Sequence, residues 1–462
     1  MKFLKNIPEN YKIIIDKITN IARENGYTVY AVGGFVRDIF LKRMPNDLDI
    51  MVEGNNGGIE FSKLLAEKLN LHHPVVFERF ATSKLIIDEH EIEFIMPRKE
   101  YYDVNSRNPD TEIGTLEQDA LRRDFTVNAL FLRLNDLQLL DLTGKGLQDI
   151  QNKIIRVTDE TSADIIFSQD PLRILRAVRQ SLQLNFSIEK QTYQSMKNNA
   201  DRITIVSGER IRDEINKILL TDTPSKALLM LDDLDLLNII LPELKQTQNI
   251  EQPAKYHNKD VFNHILEVVD KVKPNLLLRV TALLHDIAKP QTKTVINGKI
   301  SFIGHEKQGA KIAKKILTRL KYPADFIKHV CFLIENHLYP KMYLSSWKDT
   351  SVRKFADKIG DSLELIKLLN MADSKKFNGE LFDRVSKLKR NNMLMPEADL
   401  FNGNELIKIF EQPAGQWITE VKNYIRELQF ENPKITKEQV IESLEDWIIK
   451  RLKTELQKIK NK

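Results

Sequence analysis

The sequence predicts an α+β protein, with a small mixed sheet and its helices near the N-terminus and an all-α remainder. Three observations carry that expectation. Short apolar or alternating runs crowd the first 150 or so positions. From about residue 158 strand signals vanish and helical spacing takes over. At 462 residues the chain is too long for a single core.

TVYAVG, DLDIMV, VVFERF, SKLIID, EIEFIM, VNALFLRL and LQLLDL read as strands, in that order. FVRDIFLKR, between the first two, reads as a helix. The helical remainder includes PLRILRAVR, GERIRDEINKIL, DVFNHILEVVD and LLLRVTALLHDIAKP. Pro242 and the polar stretch KQTQNIEQPAKYHNK mark a linker near 245–259, and a second break lies near 391–396. The expected domains are 1–157, 158–245, 246–390 and 391–462. There is no internal repeat and no low-complexity tract.

Composition is that of a soluble globular protein, 42% hydrophobic and 29% charged. No apolar run is long enough for a membrane span, and MKFLKNIPENYK lacks the apolar core of a signal peptide. The single cysteine, Cys331, excludes an internal disulfide and a cysteine-built zinc site. The expectation is a cytoplasmic protein with no membrane and no evident protein partner. Net charge is +5, but the bases cluster. Six fall between 307 and 321 with no acid, and six in 450–462 against Glu455 alone. Such runs are usually solvated helix faces, yet two of them keep a polyanion partner open.

Gly33 and Gly34 follow an apolar strand and precede the helical segment that carries Arg37. Bare backbone N–H groups at such a place can meet a phosphate, though a tight turn needs the same residues. Asp47 and Asp49 sit two apart on a strand, so both carboxylates share a face. Two close carboxylates repel unless a cation lies between them, and Mg²⁺ with substrate phosphate suits that role. Glu93, between Ile92 and Phe94, is either a third carboxylate from a neighbouring strand or an edge-strand surface charge. In SQDPLRILRAVR, Asp170 and Pro171 read as a helix start. Arg173, Arg176 and Arg179 recur every third residue there and repel unless something anionic lies across them.

VGGFVRDIFLKRMPNDLDI resembles the nucleotidyltransferase superfamily that includes DNA polymerase beta. More closely, it resembles the class II tRNA nucleotidyltransferases, the CCA-adding enzymes and their bacterial poly(A) polymerase relatives. LRRDFTVNAL, with Arg122, Arg123, Asp124 and Asn128, is similar to that family's ribose- and phosphate-contacting motif. DLTGKGLQDI, with Asp141, Gly144 and Asp149, resembles its hinge. QDPLRILRAVR, with Asp170, Arg173 and Arg176, resembles its base-selecting motif, and GERIRDEINKIL, with Glu209, Arg210 and Glu214, the bracing one. Five motifs thus follow in family order across residues 31–219. Gln169 departs from the acid common before the base-reading aspartate, which leaves the usual brace on Arg173 in question.

The resemblance implies a DNA polymerase beta-like palm with a small mixed sheet, then all-α neck, HD and tail domains. It implies attack of a tRNA or other RNA 3′-hydroxyl on the α-phosphate of CTP or ATP. Mg²⁺ would lie at Asp47 and Asp49, with Glu93 as a third catalytic carboxylate. Gly33, Gly34, Arg37, Arg122, Arg123, Asp124, Asn128, Asp170, Arg173 and Arg176 would meet the nucleotide. Full CCA addition leads, and CC-only, A-only and poly(A) addition stay open. A vestigial transferase beside an active hydrolase, or a non-catalytic RNA-binding protein, is opposed by intact Asp47, Asp49, Asp170 and Arg173.

Six of the nine histidines fall between 257 and 337. The order His264, His285-Asp286, His305, His337, Asp373, each on or beside a helix, resembles the HD metal-dependent phosphohydrolases. By that match His264, His285, Asp286 and Asp373 form a first divalent-metal site, with His305 and His337 where two-metal members place further ligands. Such ligands suit Mn²⁺, Ni²⁺, Fe²⁺ or Mg²⁺ alike. A retained HD fold that only shapes an RNA-binding surface is the alternative. His257 and His329 read as surface or packing residues.

Overall fold

The computed structural model describes residues 2–101, 110–252, 260–394 and 400–460. The chain divides into two compact units, 1–248 with 316–323, and 249–315 with 324–462.

The first unit holds the strands β1 (Val29–Val32), β2 (Leu48–Val52), β3 (Val75–Phe77), β4 (Thr82–Ile87), β5 (His90–Ile95), β6 (Arg98–Tyr101), β7 (Asp110–Ile113), β8 (Leu130–Arg133) and β9 (Gln138–Asp141). Seven of them form one sheet in the order β3-β4-β5-β2-β1-β8-β9. β2 and β5 run parallel and the other neighbours antiparallel, so the sheet is mixed. Every strand read from the sequence forms, with ends trimmed or, in β4 and β5, shifted by one residue. VVFERF closes as a 3₁₀ turn at Glu78–Phe80, and VNALFLRL opens as one at Thr126–Asn128. The charged pair β6–β7 is additional, as are Ile154–Ile155 with Ser187–Ile188 and the hairpin Thr294–Ile296 with Lys299–Ser301.

Side chains alternate between the two faces of the sheet. One face packs on the helix Gly57–Lys68, where Ser83 Oγ donates to Ser62 Oγ at 2.7 Å. The helix lies so close that a Cβ on Gly58 would meet Phe94 backbone at 2.9 Å. The other face gathers Tyr30, Val32, Met51 and Phe131 against Ala120 and Ala129. Asp49 shares that face, because it stands opposite Val32.

Beyond the sheet, Leu172–Leu184 forms the predicted helix, and the N–H of Leu172 donates to Asp170 Oδ1 at 3.3 Å. The helix Gly208–Leu219 lies beside it and also receives the segment 316–323. A Cβ on Gly208 would meet the carbonyl of Arg319 at 2.6 Å, so only glycine allows that approach. Arg212 then donates to the Lys321 carbonyl, and Arg319 pairs with Glu243 at 2.7 Å.

The second unit is built from helices, including Val261–Lys271, Leu276–Leu284, Ala324–Asn336, Asp349–Ile359, Leu363–Asp373 and Glu380–Arg390. Its main apolar cluster centres on Val352, Phe355, Ile366 and Phe382. A further cluster, with Leu406, Val421, Ile425 and Val440, joins Gly403–Phe410, Trp417–Glu431 and Lys437–Lys460. Among the described residues no helix is long and apolar enough to cross a membrane. Lys307, Lys311 and Lys315 are exposed along the helix His305–Arg319. The side chains of the basic run 450–462, and His257, lie outside the described residues.

Candidate active site

Gly33 directly follows β1, its φ of 72° suits glycine, and the chain enters the helix Gly34–Phe40 at once. A Cβ on Gly33 would come within 3.2 Å of an Arg123 guanidinium nitrogen. The helix returns the chain to Asp47, just before β2, and to Asp49 within it. The parallel register sets Asp49 beside Glu93. Because β5 is an interior strand, the edge-strand reading of Glu93 does not hold. Burial, and then the charge of Glu93, push Asp49 up to about 6. Carboxylates this crowded call for a cation, so the donor set fits a hard divalent metal.

These groups open into one cavity of about 920 Å³. Every nucleotide-site residue expected from the sequence lines it, as do Asp47 and Asp49; Glu93 does not. The arginines are held in ordered pairs. Buried Asp119 accepts from Arg122 at 2.5 Å and from Arg123 at 3.0 Å. Asn128 accepts from Arg37 at 2.6 Å and donates to Asp124 and Gln180, each at 2.9 Å. Arg176 pairs with Asp124 at 2.6 Å. Burial opposes the Asp124 charge, but Arg176 and the Asn128 amide outweigh it and hold the carboxyl well below its usual range.

On the helix Leu172–Leu184, Arg179 reaches Glu214 at 2.6 Å, and Asp170 accepts from Arg210 at 3.1 Å. The bracing motif thus meets the arginine helix. Arg173 is buried, and it donates to the main-chain carbonyl of Arg122 at 2.7 Å. With Gln169 in place of the acid, that carbonyl holds the guanidinium. In the hinge motif, Asp141 accepts from the N–H groups of Gly146 and Leu147, and Asp149 from Thr126 and Arg156.

The second unit brings all six metal-site residues expected from the sequence together. His264 Nε2 lies 3.0 Å from Asp373, His285 Nε2 3.2 Å from Asp286, and His305 Nε2 3.3 Å from Asp286. The His337 ring stacks edge-on against His285 and His305. His285, His305 and His337 each turn Nδ1 to a backbone carbonyl at 2.8 Å or less. Their Nε2 atoms are thereby left for a ligand. His285 Nε2 is buried with no well-aligned hydrogen bond. Candidate ligand atoms of His264, His285 and Asp286 lie within 4.8 Å of one another, as do those of Asp286, His305 and His337. This donor set fits a divalent metal. Lys289 and Lys341 already pair with one oxygen each of Asp286 and Asp373, at 2.6 and 2.5 Å. His329, in contrast, meets Ser362.

Three family models match the chain: the Poly A polymerase head domain over residues 29–156, the Probable RNA and SrmB-binding site of polymerase A over 185–247, and the HD domain over 255–374. The A-adding tRNA nucleotidyltransferase of Deinococcus radiodurans is 35% identical over 57% of this chain, which spans 61% of that enzyme's length. The Multifunctional CCA protein of Paracidovorax citrulli is 31% identical over 64% of this chain and 70% of its own. The chain belongs to the tRNA nucleotidyltransferase and poly(A) polymerase family.

The fold of this nucleotidyltransferase agrees. The CCA-adding enzyme of Bacillus stearothermophilus in complex with CTP superposes with a TM-score of 0.71 at 20% identity, covering 98% of this chain and 100% of that one. Sequence reasoning missed Asp119, which pairs with Arg122 and Arg123, and Gln180, which accepts from the Asn128 amide. The signal for Asp119 was helical spacing, since it stands three and four residues before its arginines, whereas the partners of Gln180 lie more than fifty residues away in sequence.

Proposed function

We propose that this nucleotidyltransferase is a CCA-adding enzyme, transferring CMP and AMP from CTP and ATP to a tRNA 3′ end without a nucleic-acid template. One observation carries the reading: a single cavity holds the glycine turn, the aspartate pair and the Asp170–Arg173 helix start. The triphosphate lies by the Gly33–Gly34 turn and the nearby arginines, and the base reaches Asp170 and Arg173. The acceptor 3′-oxygen bonds to the α-phosphorus as the bond to the bridging oxygen breaks, and pyrophosphate leaves with that electron pair. Glu93 stands ready to take the hydroxyl proton. Asp47 and Asp49 would hold the divalent cations, which would supply charge stabilisation to the attacking and leaving oxygens.

The test offers purified protein a tRNA lacking its terminal CCA, with CTP, ATP or both. The expected product is three nucleotides longer with both present and two longer with CTP alone. One added A, two added C in every mixture, or a long A tail would each replace this assignment with the A-only, CC-only or poly(A) alternative.

In the HD unit we propose a second, metal-dependent activity, hydrolysis of a phosphoester such as a 2′,3′-cyclic phosphate or a phosphate at an RNA 3′ end. What supports it is the full histidine–aspartate set, with imidazole Nε2 atoms left for a ligand. His285→Ala or Asp286→Asn should remove hydrolysis and lower metal affinity at least about tenfold, the lower end of what loss of even an outer-shell partner costs. Nucleotide addition should be unchanged. Phosphatase and phosphodiesterase assays with each divalent ion, beside metal analysis, check this. Absence of hydrolysis and of bound metal in the wild type would return the unit to a structural role.

A further inference from the structure

Outside the cavity, the carboxylate face of the sheet carries Lys84, a cation that the nucleotide chemistry leaves unused. In register, Val32, Asp49, Glu93 and Lys84 form a row across β1, β2, β5 and β4. Register partners point to the same face, so the ammonium of Lys84 shares the face of Asp49 and Glu93. Neighbouring strands are about 4.8 Å apart, which puts Lys84 two spacings, ~10 Å, from Asp49. Lys84 and Glu93 are absent from the lining of the nucleotide cavity, which includes Asp47, Asp49 and the Gly33–Gly34 turn.

The direction of the reaction gives this row a meaning. Displacement at the α-phosphorus is in line, so the attacking oxygen comes from the side opposite the departing pyrophosphate. The Gly33 turn ends β1 and lies on one side of Asp49; β5 and β4 lie on the other. With the triphosphate at the glycine turn, the acceptor strand must therefore arrive over β5 and β4. Its 3′-hydroxyl stops at the carboxylates, and its last phosphodiester falls farther out along the same row.

We propose that Lys84 is a positioning residue for the acceptor RNA, its ammonium holding the phosphodiester just behind the reacting 3′-hydroxyl. The inference rests on the nucleotidyl-transfer reading above. Lys84 now pairs with Glu91 at 2.5 Å, and the two side chains are 36% and 60% exposed. An ion pair that exposed holds its lysine weakly, so exchange for an RNA phosphate costs little. The charge of Lys84 is also felt at Asp49, and it offsets the repulsion between three carboxylates and an incoming polyanion.

Steady-state addition of CMP to tRNA lacking CCA tests the role. Lys84→Gln should raise the acceptor KM about tenfold, with KM for CTP and kcat at saturating tRNA unchanged. The slope of log KM for the acceptor against log salt should fall by about 0.7 to 1, one phosphate contact. Lys84→Arg should stay within about twofold of wild type. Glu91→Gln, which breaks the same ion pair but keeps the cation, should leave the acceptor KM unchanged or lower it. An acceptor KM within twofold in Lys84→Gln, an equal rise for CTP, or an equal rise in Glu91→Gln would overturn the proposal. Asp49→Asn separates the two layers. If it stays active, the transfer reading itself falls; if it is dead while Lys84→Gln is normal, this inference alone does.

Discussion

Asp49→Asn is expected to lower nucleotide addition by at least about 10³-fold, or ~4 kcal/mol of transition-state stabilisation. The amide keeps the shape of the side chain and removes the charge that holds a cation beside Glu93. Affinity for tRNA should be nearly unchanged. Thermal melting excludes unfolding as the cause, and its sign is predictable. Asp49 is raised to about 6, so in the metal-free protein its favourable contribution is complete at low pH and is lost as pH rises through about 6. Asparagine carries no such loss, so the metal-free variant should melt above wild type at pH 7.5, with the gap closing toward pH 5. Wild-type addition should fall at acid pH, where a proton competes with the cation for Asp49. Near-wild-type turnover in the variant would remove the carboxylates from the mechanism.

Arg173→Ala is expected to cut CTP and ATP incorporation by about 10- to 100-fold and to raise the relative use of UTP and GTP. Asp170 and Arg173 stand three apart at one helix start. Cytosine offers an amino donor beside a ring-nitrogen acceptor, and so does adenine. A carboxylate that accepts beside a guanidinium that donates matches both. Uracil and guanine present a carbonyl beside an N–H, the reverse order, and leave both protein groups unpaired. A bidentate contact of this kind is worth about 1–3 kcal/mol of discrimination. Both partners are tethered in advance, Arg173 by the Arg122 carbonyl at 2.7 Å and Asp170 by Arg210 at 3.1 Å. Single-nucleotide incorporation with each of the four triphosphates measures the effect. An unchanged nucleotide preference with unchanged CTP and ATP rates would show that the helix does not read the base.

The sequence made most of the sheet legible, because its strands are apolar runs closed by turn residues, as in TVYAVG. The pair RKEY and DTEI escaped, since charged strands carry no apolar alternation. At the candidate site the residue types and order were readable, but the pairing was not. Nothing local to Glu93 says that β5 lies inside the sheet beside β2; that follows only from the non-local register. Likewise Arg173 turns to a backbone carbonyl, a partner without a side chain and hence without a letter to find. In the HD unit the ligand order was visible, while the two lysines on Asp286 and Asp373 belong to tertiary packing.

The pairing of Asp124 with Arg176, flanked by Asn128 and Gln180, also limits how this chain can change over evolutionary time. Asp124 is buried, so losing Arg176 alone strands a carboxylate and costs several kcal/mol. Losing Asp124 alone leaves Arg176 and the Asn128 amide without their shared acceptor. Either single change breaks the joint, so a double change must pass through a broken pair. Variation in nucleotide choice is therefore expected to accumulate around this joint, at its exposed neighbours, and not through it.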